Sequence, residues 1–270
     1  VTVRVLVASV CALAFAGAPE AARLPFTEAL LGVERDAESL PPSASAAVLP
    51  TLADIANLVR TEKQHTDSRA DALNRVIFGE LDFAREVDDT DLRFVSLQSV
   101  LETRRGSCVG LGTLYIALGE LLGWRVEGVL VPGHFYVRVD ENGKRRNVEL
   151  LRRGEEMPDA WYAKRFPVPG RGAREYGRGL SAKEVLGVVE YDIGKERLRQ
   201  TRWSEARRAF RLSTSLFPQF AESNASLGET AHLLGTFEEA RRGYGAAQRE
   251  NPDLPGLERN LELLRAETEK

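Results

Sequence analysis

Gly106-Ser-Cys-Val-Gly-Leu-Gly-Thr-Leu-Tyr-Ile-Ala-Leu-Gly-Glu-Leu-Leu122 is the stretch that decides the fold. Leu111, Leu114, Tyr115, Leu118, Leu121 and Leu122 recur at the spacing of one helical face and Gly123 stops the run, so a core helix is predicted with Cys108 in its first turn. After Gly123 the hydrophobic period changes from 3.6 to 2. Residues 126–131 read as a strand, Pro132-Gly133 as a break, and Phe135, Val137 and Val139 as one face of a second strand. Asn142-Gly143 is a two-residue hairpin turn leading to a third strand over residues 145–150. Helices followed by a small antiparallel sheet make this unit α+β.

Leu52, Ile55, Ala56 and Val59, then Leu73, Val76 and Ile77, predict two helices ahead of this stretch, and Asp88-Asp-Thr-Asp91 a turn and cap before residues 92–101. Residues 19–50, rich in Ala, Ser and Pro, read as a linker holding about one helical turn. Residues 1–18, with Arg4, a short apolar run and small residues at its end, read as a secretory signal whose removal would leave an exported chain with no membrane span. Residues 51–180 then form the α+β domain, ending in an irregular stretch with Pro158, Pro167, Pro169 and a Gly/Arg-rich segment.

Residues 181–270 repeat themselves. Gly194 and Gly228, Trp203 and Phe237, Glu205 and Glu239, Ala206 and Ala240, Phe210 and Tyr244, and Pro218 and Pro252 are each separated by 34 residues. The spacing resembles the tetratricopeptide repeat, which implies two helical hairpins plus a capping helix and a concave groove that takes a peptide partner. Glu190 stands where such a repeat carries a large residue, so the first repeat fits less closely than the second.

Composition narrows the chemistry. A formal net charge of -3 leaves no overall basic field, so nucleic acid is not an expected partner. Two cysteines, Cys11 and Cys108, and three histidines supply neither a disulfide framework nor an ordinary four-ligand zinc site, and no metal or cofactor is expected. With Cys11 in the leader, Cys108 becomes the one thiol of the exported chain.

A thiol at a helix start meets the positive end of the backbone dipole, which favours the thiolate. Counting from the Asn142-Gly143 turn pairs Asp140 with Arg145, Arg138 with Asn147 and Tyr136 with Glu149. His134, Tyr136, Arg138, Asn147 and Glu149 then share one sheet face, and His134 and Glu149 are diagonal neighbours. That suits an imidazole held by a carboxylate through one nitrogen and facing a thiol through the other. An ordinary polar sheet face carrying a chance histidine fits the same spacing. His65 in a polar run and His232 on a repeat helix form no ligand spacing with another His or Cys.

The run Arg104-Arg-Gly-Ser-Cys108-Val-Gly-Leu-Gly-Thr-Leu-Tyr, then Val131-Pro-Gly-His134-Phe-Tyr-Val-Arg138, then Asn147-Val-Glu149, resembles the transglutaminase-like superfamily in its bacterial SirB-type branch, over about residues 54–154. The resemblance implies a papain-like fold in which Cys108 is the nucleophile, His134 the base and Glu149 the orienting carboxylate. Relatives more often carry Asp at the third position, and many members of the branch lack the cysteine. Tyr136, Asn147 and Gln98 are expected to contact substrate, and Gln98 or Asn74 to assist the Cys108 amide as oxyanion donor. Two functions follow: an exported cysteine enzyme acting on amide bonds of a protein or peptide, by hydrolysis or acyl transfer, or a non-catalytic adaptor that binds peptides through its repeats.

Overall fold

The computed structural model describes residues 24–37, 44–86, 91–170 and 173–269. The expected leader and Asp88-Asp89-Thr90 lie outside them. In chain order the elements are α1 (Pro25–Asp36), α2 (Val48–Lys63), α3 (Arg69–Asn74), β1 (Ala84–Arg85), α4 (Leu97–Thr103), β2 (Arg105–Gly106), α5 (Cys108–Leu122), β3 (Val126–Val131), β4 (His134–Glu141), β5 (Lys144–Glu149), β6 (Glu155–Glu156), α6 (Asp159–Arg165), β7 (Gly179–Leu180), α7 (Ala182–Arg199), α8 (Trp203–Leu216), α9 (Ala221–Leu233), α10 (Phe237–Glu250) and α11 (Leu257–Thr268). The fold is mixed, as expected: helices and an antiparallel sheet, followed by an all-helical region.

The deciding stretch folds as read. Ser107 caps α5, its hydroxyl accepting from the Gly110 amide at 3.2 Å, and Gly123 closes the helix in the left-handed region at φ 68°. The helix is more deeply seated than a one-faced pattern implies, since every residue from Val109 to Gly119 is buried. Five of the strands form an antiparallel sheet in the order β6-β5-β4-β3-β7, and β1 and β2 make a separate parallel pair. Arg138 pairs with Asn147 and Asp140 with Arg145, the register expected from the turn, with Asn142 and Gly143 both at positive φ. Strands β6 and β7 were not foreseen, because two residues carry no readable period.

Phe135, Val137, Val139, Val148 and Leu150 point from the hairpin into the core with α5. The contact is close because Phe135 lies against two glycines. A Cβ on Gly112 of α5 would come within 2.5 Å of the Phe135 ring, and one on Gly128 of β3 within 2.3 Å. Helix and sheet therefore meet at ring thickness.

Residues 25–36, expected within a linker, form a helix instead. Glu120 of α5 accepts from the amides of Phe26 at 2.8 Å and Thr27 at 3.0 Å and from the Thr27 hydroxyl at 2.7 Å, neutralising the exposed donors at the start of α1. Glu34 near the other end accepts from the Leu97 amide at 2.7 Å and the Ser96 hydroxyl at 3.1 Å, capping α4 in turn. Phe26, Leu30 and Leu31 then join the main core. Helix α2 also begins earlier than expected, at Val48.

The stretch after Leu150, expected to be irregular, contains α6, which covers the outer face of the sheet with Tyr162 against Tyr136 at 3.7 Å between ring centroids. Beyond residue 180 the core does not break: Val185, Leu186, Val188 and Val189 of α7 belong to the same cluster as α5. The 34-residue equivalences become contacts, for a Cβ on Gly194 would lie 2.5 Å from the Phe210 ring and one on Gly228 2.5 Å from that of Tyr244. Glu190 is buried on α7, and loss of hydration pushes its carboxyl up to about 7.

Gly112→Val forces a side chain into the Phe135 ring and is expected to lower unfolding free energy by about 1–3 kcal/mol, the usual cost of overpacking. Gly79→Ala, with nothing within 4 Å of the added carbon, serves as control. Urea unfolding that ranks the two alike would contradict the close contact. Burial also pushes Glu34 up to about 7 from 4.5, outweighing the hydrogen bonds from Leu97 and Ser96 that lower it. The folded chain thus holds a proton that the unfolded chain releases, and stability falls as pH rises from about 4.5 to about 7. The urea midpoint should be lower at about pH 8 than at about pH 5.5, with Glu34→Gln flattening the fall. A midpoint that climbs across this interval would count against the burial of that carboxyl.

Candidate active site

Three elements bring the chemistry together. Cys108 is the first residue of α5, His134 the first of β4 and Glu149 the last of β5. The His134 Nε2 atom lies 2.8 Å from the Glu149 Oε2 atom, with the two side chains 6% and 2% exposed, so water competes little for this contact. An ionised carboxylate only accepts, which puts the ring proton on Nε2 and leaves Nδ1 as the basic nitrogen. The second Glu149 oxygen accepts from the Leu151 amide at 3.0 Å, fixing the carboxylate at the start of a short helical turn.

The imidazole is also held by its face. Phe166 stacks on it at 4.6 Å and 16°, with Tyr162 beyond at 6.5 Å. The Tyr162 hydroxyl is buried close to Glu149. Burial, with the negative charge of Glu149 next, drives it well above the usual phenol range. It stays protonated.

Cys108 and His134 line one cavity of about 170 Å³ with Ser107, Gly133, Leu130 and residues of α7 and α9. Cys108 is partly exposed and is in no disulfide. Among the described residues no group of three or more His, Cys, Asp or Glu is arranged to hold a metal ion. His65 is exposed, and His232 lies 3.1 Å from Glu267 on the last helix, away from this cavity.

The other expected contacts stand elsewhere. Tyr136 and Asn147 are buried in a network around Arg138, which donates to Asn147 Oδ1 at 2.8 Å, to the Tyr136 hydroxyl at 3.1 Å and to Asp159 at 3.0 Å. Neither lines the Cys108 cavity; together they fasten α6 to the sheet. Gln98 donates to Glu102 at 2.8 Å along its own helix and lines a different cavity with Val48 and Thr51. Asn74 accepts from Tyr115 at 2.7 Å and donates to the Gly154 carbonyl at 2.8 Å, a bridge between core elements. The aromatic support from Tyr162 and Phe166 was missed in the sequence, although Trp161-Tyr162 and Phe166 behind Pro158 carry the signal of a short apolar helix.

This is an α+β domain with a thiol at a helix start and a histidine and a carboxylate on the two strands of the following hairpin, β4 and β5. Residues 46–165 match the family model of the transglutaminase-like superfamily, which makes this part of the chain a transglutaminase-like domain. Comparison with curated proteins finds none that matches. Among the described residues no helix is long and apolar enough to cross a membrane.

The geometry makes a stability forecast. Glu149→Ala leaves the buried His134 N–H with no acceptor and should cost about 1–3 kcal/mol in urea unfolding, whereas Glu149→Gln keeps an acceptor and should cost less. Equal losses would show that the carboxylate contact contributes nothing beyond packing.

Proposed function

We propose that the chain is an exported, cysteine-dependent enzyme of amide-bond chemistry, with Cys108 as nucleophile, His134 as base and Glu149 as the group that orients the base. The observation that carries this reading is the buried His134–Glu149 contact opening onto the cavity that Cys108 lines. The transglutaminase-like match over residues 46–165 supports a cysteine-based amide chemistry.

The sequence of steps uses only these groups. The Cys108 sulfur attacks the carbonyl carbon of an amide while His134 Nδ1 takes the thiol proton. The tetrahedral adduct collapses, the C–N bond breaks, and the imidazolium returns the proton to the leaving nitrogen. A thioester on Cys108 remains, and water or an amine attacks it to release an acid or a new amide. Negative charge on the adduct's oxygen is favoured near the amides that begin α5. Hydrolysis and acyl transfer share all steps up to the thioester.

The C-terminal helices are read as two tetratricopeptide hairpins with α11 as cap. Support comes from the Gly194–Phe210 and Gly228–Tyr244 contacts and from Pro218 and Pro252, which follow the ends of α8 and α10. A peptide or protein is the proposed partner.

Iodoacetamide labelling of Cys108 across about pH 5 to pH 9 tests the assignment. The rate is expected to reach half its maximum well below the roughly 8.5 of an ordinary thiol, and His134→Ala to abolish that displacement. A Cys108 that labels only after unfolding would sink the enzymatic reading and favour the adaptor.

A further inference from the structure

The cavity beside Cys108 is not built by the transglutaminase-like region alone. Val188, Tyr191, Asp192 and Lys195 of α7, with Phe220 and Glu222 at the start of α9, also line it. We propose that these helices form the specificity wall of the site, with Tyr191 and Phe220 restricting by size what reaches Cys108 to a short acyl group on a side chain or chain end. This rests on the reading of Cys108 as the nucleophile.

The wall is fixed to the rest of the molecule at several points. Leu180 pairs with Gly128 in the sheet, and Ser181 and Glu184 then cap α7 reciprocally, so the helix leaves the sheet at a set angle. Val185 and Val189 are buried in the core shared with α5. The Tyr176 hydroxyl donates to Glu222, tying the segment before β7 to α9. Tyr191 and Phe220 meet at 4.7 Å between ring centroids, and Phe217 backs Phe220 at 5.4 Å. At the rim the Lys195 ammonium lies 3.4 Å from Asp192 and 5.3 Å from the Tyr191 ring centroid. Packed aromatic rings of this kind do not retract as a surface loop would.

Size then sets what enters. About 170 Å³ is well below the roughly 300–1,000 Å³ of pockets that take drug-sized ligands. The lining is mixed: Val109, Leu130, Val131, Phe135, Val188, Tyr191 and Phe220 supply apolar surface, and Ser107, His134, Asp192, Lys195 and Glu222 polar groups. The small volume of the cavity limits entry by size. The helical region thereby acts on which acyl group is attacked, in addition to any surface it offers a partner.

Two reagents with one reactive group separate this proposal from the nucleophile assignment. The full-length protein is treated with iodoacetamide and, separately, with a biotin-linked iodoacetamide, and labelling of the Cys108 peptide is followed by mass spectrometry. Small-reagent labelling of the folded protein should be at least about ten-fold faster after correction for the reagents' rates on a free thiol. Tyr191→Ala should move the ratio several-fold toward one, and Lys195→Ala, at the rim, should move it in the same direction by less. Leu263→Ala, on the exposed side of α11, should leave it unchanged. Circular dichroism establishes that each variant is folded, and Tyr191→Leu replaces Tyr191→Ala if the latter is not. Corrected rates that match in the wild type, or a ratio that the folded Tyr191 variant does not move, overturn the wall. Silence of both reagents on the folded protein overturns the nucleophile assignment, and the wall falls with it.

Discussion

The ring of Phe135 lies against Gly112 on one side and Gly128 on the other, and the site depends on that contact. A side chain at either glycine would hold α5 off the sheet. With none, the first turn of α5 and the first residue of β4 border the same cavity, and Cys108 is brought to His134 by backbone packing. Rigid elements hold such groups more finely than loops do. The same closeness explains why α5 is buried on all sides and why its sequence is apolar beyond one stripe.

A second constraint is the cost of burying polar groups in that sheet face. His134, Glu149, Arg138 and Asn147 are all buried, and each is satisfied by a neighbour: the carboxylate by His134 and the Leu151 amide, the guanidinium by Asn147, Tyr136 and Asp159. Unpaired, any of them would cost more than its contacts return. The network does two tasks. It seats α6, whose Phe166 and Tyr162 keep the imidazole plane in place, and it leaves one ring nitrogen for chemistry.

What could be read from the sequence was local or periodic. The helix at Cys108, the turn at Asn142-Gly143 and the pairing of Arg138 with Asn147 follow from residue spacing within about 45 residues, and these place Cys108, His134 and Glu149. The docking of α1 was not readable, since it rests on Glu120 and Glu34 reaching helix starts more than 60 positions away in the chain. Glu34, one of several acidic residues in its stretch, carries no mark of its distant partner. Gln98 and Asn74 were polar residues of suitable type, yet one is spent within its own helix and the other on Tyr115 and Gly154. The contribution of α7 and α9 to the cavity escaped for a related reason. Repeat periodicity identifies a helical hairpin but says nothing of the surface against which its first helix lies.

If Cys108 forms an acyl intermediate with help from His134 and Glu149, an activated acetyl ester mixed with the protein at neutral pH should add one acetyl group to its intact mass within the first turnover. That group should map to Cys108, form faster than on a free thiol and be slowed strongly by His134→Ala. Acetylation of the folded protein that is no faster than on a free thiol, or that is indifferent to His134→Ala, would contradict the acyl intermediate.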